Sequence, residues 1–409
     1  MCSSDLPFPE TIQVAVEYDP FSTEAMRDPH PIYDDLRAEG CPHFVEQRRA
    51  WALTLYDDLK KTSLCPKWLD FSFGQTPAQL MLGEPVPHTF MTMNAPDNRK
   101  WRGLLEPFYG AGAVQREVPR LRALIAGELD ALHGRDTFDV YHDFANRIMC
   151  MNAGYNLGIG REQAIQARDL IDRMILNRVP GQVGASTPDS QQAAGELMHL
   201  LMEHVQRMRP DPEVGGPHGT VLRDAEVDGQ RLSDQDLLFY LFSLLVVGSE
   251  TTPMAVAGTL YYLDKHPEQK AMVLADHGLL EAAFRETLRY DQPTNMLARR
   301  AATDFELNGA HVKAGDNLLF IYASANRDEA RFPDAGRFDI TRPNEGDLSF
   351  GIGAHFCLGA ALAQTAAGLM LAMLFERMED YAVVGEACER AFGEHLNGFV
   401  NMPIRPRWK

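Results

Sequence analysis

Paired cysteines are missing from this chain. Its six cysteines, at positions 2, 41, 65, 150, 357 and 388, are scattered with no C-x-x-C spacing. That pattern argues against a disulfide framework or a cysteine-ligated zinc site and fits reduced thiols in a cytoplasmic protein. The thirteen histidines show no H-E-x-x-H or other metal spacing. Positive charge is also scarce: 39 Lys and Arg stand against 57 Asp and Glu, for a net charge of −18. So large an excess of negative charge argues against binding to nucleic acid and favours solubility. The opening residues, Met1 to Pro7, lack the basic region and apolar core of a signal peptide. No internal repeat, low-complexity tract or separating linker is visible, so one domain over 1–409 is expected, with a short N-terminal tail at 1–19.

What is present is mostly helical pattern. Apolar periodicity marks helices near 114–132, 139–153, 161–176 and 189–209. Residues 74–95 show little periodicity, and Asn177 to Ser190 reads as a Pro/Gly-containing connector. Short strand-like runs occur at Ala50 to Leu55 and Asn317 to Tyr322. Leu237 to Leu263 carries one charge, Glu250, and is long enough to cross a bilayer. A carboxylate and Pro253 near its middle, with no flanking basic clusters, point instead to a helix through a soluble core. No membrane anchor is expected. Ser233, with Asp236 three residues on, should cap this helix. Gly248 and Pro253 should open it locally between Gly248 and Thr252, because proline lacks the amide donor and clashes with the carbonyl four residues back. Leu348 to Phe375, almost uncharged, reads as a second buried helix.

The densest signal is Phe350-Gly351-Ile352-Gly353-Ala354-His355-Phe356-Cys357-Leu358-Gly359, followed by an Ala/Leu-rich helix. Glycines 351 and 353 admit backbone angles closed to other residues and let a flat ring approach. A cysteine entering a helix sits where the dipole favours a thiolate. This stretch resembles the haem-binding loop of the cytochrome P450 family, F-G-x-G-x-H-x-C-x-G-x-x-L-A, at every specified position. The resemblance runs from about residue 20 to the C-terminus and implies the cytochrome P450 fold, mainly α with small β-sheets. It implies haem b as cofactor, with Cys357 as the iron ligand that favours O–O cleavage.

Other segments extend the resemblance. Val247-Gly248-Ser249-Glu250-Thr251-Thr252 is similar to the family's oxygen-activation segment, with Val247 in place of the usual Ala or Gly. This implies that Glu250 and Thr251 deliver protons to O2. Glu286 and Arg289, with Phe332 to Phe338, match the family's structural network beneath the cysteine loop. Arg299, His355 and Arg102 match positions that hold the haem propionates, while Phe350 and Gly351 belong to the haem bed. Asn98 departs from the family's usual histidine, and nothing assigns it to a propionate.

The function implied is a haem-thiolate monooxygenase inserting one oxygen atom of O2 into a C–H bond of a lipophilic small molecule, terpenoid or steroid-like. An iron–sulfur ferredoxin and its reductase would supply electrons, and Arg99 and Lys100 would steer that partner. The alternatives are an oxidative-coupling enzyme of the same family and a non-catalytic haem-based binding or sensing protein.

Overall fold

A computed structural model describes residues 16–82, 86–176, 186–211, 213–343 and 346–409. Most of the expected tail and connector lie outside these residues. The described chain is mainly helical. Its largest sheet is mixed, built from β1 (His43–Val45), β2 (Ala50–Leu53), β3 (Leu69–Asp70), β4 (Leu297–Ala301) and β5 (Asn317–Phe320) in the order β1-β2-β5-β4-β3. β5 runs parallel to β2 and antiparallel to β4.

The long apolar run folds as the central helix, Asp234–Lys265. At its start, Ser233 Oγ accepts the Asp236 N–H at 3.1 Å and the Asp236 carboxylate accepts the Ser233 N–H at 3.0 Å. These reciprocal bonds satisfy two amides that a helix end leaves open. The helix is long and apolar enough to cross a membrane, but it packs against helices Asn146–Leu157, Pro188–Met208, Leu280–Tyr290 and Ala360–Arg377. Leu241, Leu245, Val256 and Leu260 are fully buried there.

Two local expectations fail. The helix is not interrupted between Gly248 and Thr252; it continues through Pro253. Neighbouring helices hold it on several sides, and packing outweighs a single missing amide. Leu348 to Phe375 is not one helix either. Its first part is the cysteine loop, and the helix begins at Ala360.

Candidate active site

The cysteine loop owes its path to its glycines. Gly351 and Gly353 adopt φ of 69° and 82°, the left-handed region that side chains disfavour. A Cβ on Gly353 would stand 2.8 Å from the Ser63 carbonyl oxygen, whereas one on Gly351 would meet no atom within 4 Å. The loop is pinned by Cys357 N–H donating to Phe350 O at 2.9 Å. Gly359 donates its backbone N–H to the Cys357 sulfur, and Arg102 adds positive charge nearby. Burial is nevertheless the largest influence and raises the thiol above its usual range. The thiolate expected from the helix start is thus not favoured by the protein alone. Direct bonding to a metal ion would supply the missing stabilisation.

Beneath the loop, Glu286 and Arg289 are fully buried and form a two-pronged pair at 2.8 and 2.7 Å. Arg289 also donates to the carbonyls of Asn326, Ala335 and Arg337, and Glu286 accepts the Asp339 N–H. The helix carrying the pair is thereby tied to the irregular chain that leads to Cys357.

Cys357, Thr251, Glu250, Arg299, Arg102, His355, Phe350 and Gly351 all line one cavity of about 620 Å³ between the central helix and the cysteine loop. Arg299 is 5% exposed, and among the described residues it makes no ion pair. Its guanidinium donates to the Ala298 carbonyl at 2.6 Å and lies 4.8 Å from the centre of the Phe71 ring. Phe71 in turn stacks on His355 with 3.7 Å between centroids. Burial first, then the charges of Arg299 and Arg102, push the His355 imidazole down to about 3. Arg102 also donates to Glu106 at 2.9 Å.

A buried guanidinium without a carboxylate is costly unless an anion joins it. The cavity walls also leave Val247 54% and Phe356 44% exposed. An apolar ring carrying two carboxylates would cover these side chains and neutralise the cations, so the residues fit haem.

Asn98 lies apart. It is 1% exposed, donates to the Phe90 carbonyl at 2.5 Å and does not line the cavity. Its donor is therefore used within the protein. Met91 lines the cavity, whereas Met81, Met93, Met296 and Phe399 do not. Met81 faces a separate cleft. Phe71, Tyr109 and His218 line the cavity without having been singled out in the sequence. Tyr109 comes within 4.0 Å of where a Gly359 Cβ would be, and its hydroxyl lies 3.5 Å from His218 Nδ1. No spacing signal marks these contacts. Lys100 is engaged by Asp97 and Asp228, which offsets much of its expected steering charge.

A family model described as cytochrome P450 matches residues 166–380. Cytochrome P450 123 of Mycobacterium tuberculosis is 31% identical over 94% of this chain and 96% of its own length. The vitamin D(3) 25-hydroxylase of Pseudonocardia autotrophica is 28% identical over 95% of this chain and 96% of its own. Among solved structures, cytochrome P450 CREJ in complex with (4-ethylphenyl) dihydrogen phosphate is similar at 27% identity with a TM-score of 0.83. That match covers 96% of this chain and all (100%) of the other.

Proposed function

The chain belongs to the cytochrome P450 family and is a P450 monooxygenase with haem b as its cofactor; from this premise we propose that it inserts one oxygen atom of O2 into a C–H bond of a neutral, lipophilic small molecule. A ferredoxin and its reductase supply the electrons, in the cytoplasm. The observation that carries this reading is the single cavity shared by Cys357, Thr251, Glu250 and the three basic side chains Arg299, Arg102 and His355.

Haem, when bound, supplies the activation of O2 and the transfer of one oxygen atom to carbon. Cys357 Sγ would bind the haem iron, and the Gly359 N–H and the Arg102 charge would help to hold negative charge on that sulfur. Arg299, Arg102 and His355 would hold the propionates, and Phe350 and Gly351 would form the bed for the ring. In the same cavity, Thr251 Oγ1 would donate protons toward O2 and Glu250 would resupply them from water.

The only charged side chains among the described residues lining the cavity are Glu250, Arg102 and Arg299. With the two arginines assigned to propionates, no cation remains to fix an acidic substrate. The apolar walls favour a terpenoid or steroid-like skeleton. The relative whose name specifies vitamin D(3) as substrate is consistent with this class.

The test is spectroscopic. The reduced, CO-bound wild type should show the red-shifted Soret band of thiolate ligation, and Cys357→His should lose it while retaining haem. An unchanged band would overturn the ligand assignment. In Thr251→Ala, product per O2 consumed should fall about tenfold or more, in the range of one lost proton-transfer group. An unchanged ratio would remove Thr251 from the relay.

A further inference from the structure

A second cleft, of about 660 Å³, lies outside the cavity described above. Its lining comes from four separate parts of the sequence: the turn Gln47–Arg49, helix Pro77–Leu82, β4 and the turn Lys313–Asn317. The helix Pro77–Leu82 is a wall common to both spaces. Ala78 and Gln79 line the main cavity, whereas Leu80 and Met81 line the cleft.

On a chain of net charge −18, this cleft gathers Arg48, Arg49, Arg300 and Lys313. The charge of Arg48 is already matched by Asp19, through bonds of 2.9 and 2.6 Å. Among the described residues, Arg49, Arg300 and Lys313 form no ion pair within 4.0 Å. The carboxylate lining the cleft, Asp316, accepts the Trp51 indole N–H and the Lys313 backbone N–H, each at 3.0 Å. Asp70 feels the Arg300 charge from outside the lining and is itself held by Ser72 and Asn94.

One further atom points to an anionic ligand. Arg300 Nε, a donor, is buried and has no hydrogen-bond partner among the described residues. Arg300 and Asn317 stand directly opposite each other in the β4–β5 ladder, so their side chains share one face of the sheet. Leaving such a buried donor without a partner is costly. The Arg300 guanidinium is held in place by Phe73, 3.8 Å from the ring centre. That ring is 39% exposed, and Leu80 and Met81 offer the cleft an apolar border.

We propose that this cleft binds the phosphate or carboxylate of a small molecule, with Arg300, Arg49 and Lys313 as its cationic contacts. Arg300 supplies a rigid, directional donor set, while Lys313 and Arg49 supply exposed charge. The site is separate from the haem cavity and does not depend on the reaction carried out there.

The experiment is calorimetric titration of the haem-containing protein with phenyl phosphate, in low-salt buffer free of phosphate. Binding is expected in the wild type. Arg300→Gln and Lys313→Gln should each weaken it about tenfold, as loss of a charge-assisted contact would. Lys313 is exposed, so its replacement tests the site without threatening the fold. A saturating azole in the main cavity should leave the affinity unchanged. Binding of inorganic phosphate as tight as that of phenyl phosphate would assign the cleft to a free anion, and weaker binding to the acidic head of a larger molecule. The proposal is overturned if the wild type does not bind phenyl phosphate, if neither substitution weakens binding, or if the azole abolishes it.

Discussion

His218 shows how one buried residue makes stability depend on pH. It is 4% exposed, with the Phe108 ring 4.8 Å away and the Tyr109 hydroxyl 3.5 Å from Nδ1. Burial lowers its imidazole from 6.5 to about 4. Between those values the unfolded chain binds a proton that the folded chain does not. Folding stability therefore falls as pH drops from 6.5 toward 4, and the loss levels off below that. Between pH 7 and pH 5 this residue should account for a loss of about 2 kcal/mol. His355, His204 and His30 are also lowered and cost stability over the same range in both proteins, so in urea unfolding at the two pH values the loss should be smaller by about that amount in His218→Gln than in the wild type. An equal loss in both proteins would mean that another group is responsible. At this scale the sequence was uneven. Cys357, Thr251 and Arg299 stand in a recognisable pattern, so their shared cavity is unsurprising. Phe71 and His218 are ordinary residues in ordinary stretches, and only folding gives them their neighbours.

The element with the most at stake is the helix Leu280–Tyr290. Its buried Glu286–Arg289 pair is held by the backbone of residues 326–339, and Arg342 Nε also lies 3.5 Å from Glu286. A three-residue spacing on one helix face is visible in sequence, but it is equally the pattern of a surface pair worth little. The carbonyls of Ala335 and Arg337 decide the matter, and they come from the far side of β4 and β5. Glu286→Gln should keep the side-chain volume but leave Arg289 charged and uncompensated. The expected loss is about 3–5 kcal/mol, with weaker haem retention because the chain leading to Cys357 loosens. Thermal unfolding and haem-transfer rates would check this, and wild-type values for both would make the pair dispensable. The central helix gives the opposite lesson. Gly248 and Pro253 are real helix breakers, yet the helix continues, because several helices pack around it.

For the molecule as a whole, charge is the dominant global property. Any acidic electron donor must approach a protein of net charge −18, so local cations have to overcome long-range repulsion. Lys100 is engaged by Asp97 and Asp228, whereas Arg99 is exposed and has no ion pair among the described residues. Reduction by an acidic ferredoxin at low salt should slow severalfold in Arg99→Glu and much less in Lys100→Glu, with both effects shrinking as salt screens the charges. Stopped-flow rates would test this, and equal rates in the two variants would refute the distinction. The sequence by itself determined the family, the cofactor loop, the helical class and the capping of the central helix. Those features depend on residues close together in the chain, where spacing alone specifies geometry. Only the tertiary structure decided which methionines reach the cavity, that Asn98 turns away from it, that burial raises the Cys357 thiol, and that Arg49, Arg300 and Lys313 meet in one cleft. Each of these depends on segments far apart in sequence, whose meeting is fixed by how helices and sheet pack and by no local pattern.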